Sequence, residues 1–221
     1  MNPGPREPEP KAVVREIRRG RTVSRSLANV TLATMDAPLY GTVLDLASKD
    51  GSSAVRRLSP GASWVGLDLF HRPDVRADAD APLPFRDSCV DAAICMWFLN
   101  ISMDPVAVLR EIRRVLKPHG SALVGTPLAF SVNPEPRDLW RFTDEGLRYM
   151  FRMAGFDRVD VVPFGGRWTS AAYLVEPFLR PRRLVLPPVA RGCLELDRWA
   201  ARRLSGRLAA HPVGYLTWAE A

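Results

Sequence analysis

The chain has 221 residues, 47% of them hydrophobic and 25% charged, with 20 Pro, 15 Gly and 3 Cys. That apolar fraction suits one folded domain with additions and excludes wholesale disorder, and Cys89, Cys95 and Cys193 are too few and too irregularly spaced for a disulfide scaffold or a metal site. The net charge of +7 sits in the flanks: residues 1–35 carry seven Lys/Arg against three acids and residues 165–221 nine against four, around a near-neutral middle, so charge alone does not argue for nucleic acid as a partner.

No window approaches ~18 uncharged apolar residues, the length a membrane-spanning helix needs. The first residues, MNPGPREPEPK, lack the apolar stretch of a signal peptide, so a reducing cytoplasm is the expected compartment. Of the 31 basic residues only Lys11, Lys49 and Lys117 are lysines, a bias too general to give each arginine a role.

Residues 1–10 are rich in Pro and Glu and read as disordered, and 11–35 as a broken basic helix with Val13, Val14, Ile17, Val23 and Leu27 apolar. These 35 residues form an extension to a domain over 36–221. From residue 41 short β-branched runs alternate with helical patterns, as in a parallel sheet flanked by helices. The runs are Val43–Leu46, Trp64–Leu67, Ala92–Met96, Ala122–Thr126 and Val159–Pro163, with helices over Ser52–Leu58, Pro105–Leu116 and Thr143–Ala154. Asp104 is placed to cap a helix whose first residue is Pro105, and Lys117-Pro118-His119-Gly120 to end it. Thr143 caps the next, with Asp144 and Glu145 at the positive end of its dipole. Prolines 177, 181, 187 and 188 break residues 171–209 into short helices joined by stiff turns, and Val213–Trp218 reads as a last strand.

In an open parallel sheet, ligands sit beyond the carboxyl ends of the strands. After the first strand comes Asp45-Leu46-Ala47-Ser48-Lys49-Asp50-Gly51; after the second comes Asp68, 23 positions beyond Asp45. Asp68 can accept two hydrogen bonds from a ribose diol, each worth about 1.5–3 kcal/mol when charge-assisted; its structural alternative is an exposed strand-end acid. Asp45 is placed to face a ligand ammonium.

At these residues the chain resembles the class I S-adenosyl-L-methionine (SAM)-dependent methyltransferases, from about Gly41 to Phe164. Thr42–Leu46 is similar to the family's V-L-D-L, Val65–Asp68 to its V-G-x-D, Leu83–Asp91 to L-P-F-x-D-x-S-F-D, and Leu109–Gly120 to L-R-E-x-x-R-V-L-K-P-G-G. The resemblance implies a Rossmann-like α/β sandwich: a mainly parallel seven-stranded sheet with an antiparallel last strand. It implies SAM as cofactor, held by Asp45, Ala47, Gly51 and Asp68, with Leu69 on the adenine face and Asp78 or Ala79 at its edge. Asp80 competes with Asp78, because Asp78–Pro82 is one residue longer than the usual spacing. The loop departs from the family: two of its three glycines are Ala47 and Lys49. Glycine there allows positive φ and bare backbone against ligand, while Lys49 points away or sets a cation near the methionine end.

A further block, Asn133–Leu147, resembles H-x-x-P-x-D-Y-W-R-F-T-x-x-G-L, which marks methyltransferases of surface-polysaccharide and glycosylated natural-product pathways. It implies an acceptor site with Asp138, Trp140 and Arg141, joined by Asn133 and by Asn100 after the fourth strand. Asn133 and Asn100 stand where relatives offer histidine, and asparagine abstracts no proton. Asp138 is the one acid nominated as base. The structural alternative has Asp138 and Arg141 paired and Trp140 and Phe142 packed under the helix.

The expected function is methyl transfer to a small molecule, a sugar or glycosylated intermediate among them. The alternative is a degenerate relative that binds a partner; a nicotinamide dehydrogenase is disfavoured by the loop. No metal is implied: His71, His119 and His211 are scattered and read as surface residues. Cys89 and Cys95 read as small hydrophobes. Residues 180–207, alternating Leu, Val and Trp199 with arginines, suit either an anionic membrane surface or a solvated helical face.

Overall fold

Thr42-Val43-Leu44-Asp45-Leu46 is short, β-branched at its start and buried from Val43 onward, as a strand covered on both faces of a sheet must be. A computed structural model describes residues 8–35, 38–47, 54–132, 135, 137–179, 184–203 and 211–221. Seven strands form one sheet: β1 (Thr42–Leu46), β2 (Ser63–Asp68), β3 (Val75–Arg76), β4 (Val90–Met96), β5 (Leu116–Pro127), β6 (Arg158–Phe164) and β7 (Gly214–Glu220). Their order is β3-β2-β1-β4-β5-β7-β6. Strands β3, β2, β1, β4 and β5 run parallel, and β7 lies antiparallel between β5 and β6, as expected of the last strand. Chain order reverses between β1 and β4, so the carboxyl ends of these two strands open the sheet's crevice.

By its contacts the chain divides into two units. The unit of residues 38–127, 133–162 and 216–221 holds the parallel strands with α3 (Ala54–Leu58), α4 (Pro105–Val115) and α5 (Asp144–Met153). Both expected caps are present: Asp104 Oδ1 accepts from the N–H groups of Val106 and Ala107, and Thr143 Oγ1 from that of Gly146. Val108, Leu109, Ile112 and Val115 of α4 and Leu147 and Phe151 of α5 are buried. The other unit, residues 1–37, 128–132 and 163–215, packs α1 (Pro10–Arg18), α2 (Val23–Thr34), α6 (Arg167–Leu179) and α7 (Leu186–Arg203) together. The broken helix of residues 11–35 is therefore α1 and α2.

Two expectations need correction. Lys117–Gly120 do not end α4, which stops at Val115; they already belong to β5, where Val90 pairs with Leu116, the register shifts, and His119 takes φ +63°. Pro177, Pro187 and Pro188 do not break the described part of 171–209 into short helices, and Pro181 lies outside the described residues. Pro177 sits in the last turn of α6 and Pro187 and Pro188 in the first turn of α7, where an N–H has no helical partner, so α7 runs 18 residues. The two-residue strand β3 carries no sequence signal of its own.

One cluster ties two distant motifs together. Arg114 donates to the carbonyls of Phe85 and Leu83, to Asp87 and to both oxygens of Glu111, and Glu111 accepts the Leu83 N–H at 2.7 Å. The Arg114 hydrogen bond is the largest influence on Glu111; with the Leu83 N–H it outweighs burial and holds the carboxyl below its ordinary 4.5. A carboxylate lowered on folding adds stability above its unfolded pKa, which is lost as pH falls through the folded value. Glu111→Gln is therefore expected to lower unfolding free energy at pH 7 by about 1–3 kcal/mol. In urea titrations the gap from wild type should narrow below pH 4.5; a gap constant with pH contradicts the clamp.

Candidate functional site

β1 and β2 pair in parallel with Leu46 opposite Leu67, so the residues that follow, Ala47 and Asp68, lie at adjoining strand tips. Asp68 is 7% exposed, which removes the reading of a solvated strand-end acid. Its Oδ1 accepts from the N–H groups of Phe70 (2.7 Å) and His71 (2.9 Å) and lies 3.0 Å from His71 Nδ1. Oδ2 takes no hydrogen bond from the described residues. Burial raises the pKa of this acid, but those hydrogen bonds lower it more, and the net shift is downward from 3.8. The group stays an anion at neutral pH, fixed through one oxygen with the other left to accept. His71, expected only at the surface, is thus part of the turn that holds Asp68; a histidine three residues after a strand-end acid was the available signal.

Ala47 carries the loop's main departure. Its φ is +55°, the left-handed region that glycine enters without cost. The alanine keeps the glycine-type backbone and bears the strain. Ser48, Lys49, Asp50 and Gly51 lie outside the described residues, and with them the expected roles of Lys49 and Gly51. Asp45 is buried and accepts from Arg56 Nη2 at 3.2 Å, while the Arg56 guanidinium also sits 4.9 Å over the Trp64 ring. Burial, then the Asp45 charge, push the Cys95 thiol up to about 12. It is fully buried, a packing residue and no nucleophile.

A second strained residue marks the tip of β4: Trp97 has φ +65°, and its N–H donates to the Gly125 carbonyl at 2.9 Å. Beyond it three loops are bound into one cluster. Asp80 accepts from Met103 N–H and, at 2.6 Å, from Arg137, which also donates to the Ile101 carbonyl. The Asn100 carbonyl accepts from the N–H groups of Leu139 and Trp140, and the Trp140 indole N–H donates to the Ser102 carbonyl at 2.8 Å. Asp80 is therefore spent on the loop junction. Asp78 is exposed, its carboxylate accepting the Asp80 N–H, Ala79 is buried beside it, and Leu69 stands 41% exposed.

Asp138 and Arg141 are paired, and Asn100 Nδ2 lies 3.5 Å from Asp138. Asn100 Oδ1 is buried with no hydrogen-bond partner among the described residues. Phe142 is buried, whereas Trp140 is 42% exposed and does not pack under α5. Asn133 lies outside the described residues. Among the described residues no group of three or more His, Cys, Asp or Glu could hold a metal ion, and no helix is long and apolar enough to cross a membrane.

Residues 41–124 match the family described as "Methyltransferase domain". The chain has the Rossmann-like methyltransferase fold. The chain is 28% identical over 177 residues to the ubiquinone/menaquinone biosynthesis C-methyltransferase UbiE of Acidiphilium cryptum, covering 58% of this chain and 71% of that protein. It is 32% identical over 129 residues to a demethylmenaquinone methyltransferase of Paenarthrobacter aurescens, covering 53% of this chain and 49% of the relative. A SAM-dependent methyltransferase of Archaeoglobus fulgidus superposes with TM-score 0.59 at 16% identity, covering 93% of this chain and 97% of that one. One from Mesorhizobium loti gives 0.55 at 19%, covering 88% and 98%. These likenesses carry the fold.

Asp68, Leu69, Asp78 and Ala79 thus lie at and just after β2 and β3, and Asn100, Asp138, Trp140 and Arg141 are bound together in the loops after β4 and β5. Sequence reasoning missed Arg137 and Ser102, which fasten that second group. If Ala47 bears left-handed strain for the loop, Ala47→Gly relieves it. Relief of roughly 1 kcal/mol should raise the melting temperature by about 2–4 °C; a lower melting temperature would show the alanine methyl to be needed for packing.

Proposed function

We propose that this chain transfers the methyl group of SAM to a small-molecule acceptor that brings its own nucleophile. The observation that carries this reading is Asp68: a buried, ionised carboxylate at a strand tip, anchored through one oxygen and open at the other. A ribose diol supplies the donors such an oxygen requires. Asp78 and Ala79 would meet the adenine edge and Leu69 its face, with Asp78 favoured over Asp80 because Asp80 is held by Met103 and Arg137. Ala47 keeps the glycine-type turn that a cofactor's methionine end would pass, so these residues fit SAM.

Bound SAM supplies an electrophilic methyl on a sulfonium, and charge is lost as the methyl leaves. The protein's part is alignment of nucleophile and methyl. A neutral hydroxyl also needs its proton removed, and a carboxylate held by a guanidinium is a weak base: Asp138 is held by Arg141. Asn100 carries no proton-abstracting atom. This favours an acceptor already ionised or electron-rich. The relatives named for ubiquinone and menaquinone biosynthesis support such a class. Trp140, exposed but fixed by its indole N–H, offers an aromatic plate for a ring, and Arg141 a guanidinium for an anion. A sugar hydroxyl keeps its support in the resemblance of Asn133–Leu147 to the polysaccharide-associated block.

A second reading, a methyltransferase fold that binds without catalysing, draws on the occupation of Asp45 by Arg56. Calorimetry with S-adenosylhomocysteine separates the two. Wild type is expected to bind, and Asp68→Asn to weaken binding by about ten- to a hundredfold, the equivalent of one lost charge-assisted hydrogen bond. No heat at millimolar ligand from a folded wild-type protein selects the second reading.

A further inference from the structure

Helix α6 is turned inside out. Its buried positions are Thr169, Ser170, Ala172 and Glu176, and its exposed face carries Trp168, Ala171, Leu174, Val175 and Phe178, with Phe178 78% exposed. The inner polar groups are engaged: Thr169 Oγ1 with Asp197 and Gly166, Ser170 Oγ with the His211 carbonyl, Glu176 Oε2 with the Val23 N–H. Hydrogen bonds seat this helix on its unit, and its apolar residues are left pointing outward. At 1.5 Å per residue the stripe runs about 15 Å along the helix, and an exposed apolar stripe of this kind marks an interaction surface.

Exposed arginines continue the same surface on α7. Asp197 of α7 accepts the N–H groups of Trp168 and Thr169 at 2.9 Å, which sets the first turn of α6, with Arg167, against the carboxyl-terminal half of α7. There Leu196 and Trp199 are exposed, followed by exposed Arg202 and Arg203. Leu184, before α7, is 90% exposed; residues 180–183 of the sequence, Arg-Pro-Arg-Arg, lie outside the described residues.

We propose that α6 and α7 form a peripheral docking face for an anionic lipid bilayer: the stripe enters the headgroup boundary and Arg202 and Arg203 meet the lipid charge. Two exposed tryptophans suit that boundary, where amphipathic rings concentrate. A second copy of the chain fits less well, because a two-fold contact through this face opposes its arginines with themselves.

The test is co-sedimentation of the full chain with vesicles of phosphatidylcholine alone and with 30% phosphatidylglycerol, tracking tryptophan fluorescence, with far-UV circular dichroism as the folding control on variants. Binding to the anionic vesicles with a blue shift is expected, at least about tenfold weaker without phosphatidylglycerol, and weakened about tenfold by Phe178→Glu. No binding to either vesicle, or equal binding to both, overturns the proposal. So does a concentration-dependent dimer in sedimentation velocity that Phe178→Glu abolishes, which would assign the face to a second copy.

Discussion

A carboxylate buried at the end of a strand must be hydrogen-bonded or it costs stability, and Asp68 meets that demand with one oxygen only. The N–H groups of Phe70 and His71 and the His71 ring converge on Oδ1. The turn after β2 thus keeps the side chain ionised and oriented while its second oxygen is left for something else. The sheet order supplies the position, since β2 borders β1 and the crevice opens where chain order reverses between β1 and β4. The chemistry argued for this chain rests on that oxygen.

The surrounding loops are held by charge-assisted bonds more than by packing. Arg114 and Glu111 clamp Leu83 to Asp87, Arg137 and Asp80 join the loops after β3, β4 and β5, and Asp138 with Arg141 sits against Asn100. Such partly buried pairs fix geometry more than they add stability. Strain gathers where the strands end: Ala47 and Trp97, after β1 and at the tip of β4, both hold positive φ, as residues do where surroundings overdetermine a functional shape.

Much of this was legible in the residues. Alternating short strands and capped helices give the α/β class, and the 23-residue step from Asp45 to Asp68 places an acid at the neighbouring strand tip. Two kinds of information were not legible. The partners of long side chains depend on tertiary approach: nothing local says that Arg114 reaches the Leu83 and Phe85 carbonyls, or that Arg56 fills the space before Asp45. Exposure is the other. The pattern of α6 reads as amphipathic in either sense, and which face is buried is decided by hydrogen bonds to Asp197 and the His211 carbonyl and from the Val23 N–H, residues distant in sequence. Proline likewise misleads when it falls in a helix's first turn, as in α7.

The most direct test is a comparison of ligands on the wild-type protein: the affinity of S-adenosylhomocysteine against its 2′,3′-dideoxy analogue, repeated in Asp68→Asn. If Oδ2 accepts from the ribose, removing the hydroxyls should cost wild type about tenfold or more and the variant almost nothing. An equal loss in both proteins, or none in wild type, would contradict the assignment of that oxygen to the nucleoside.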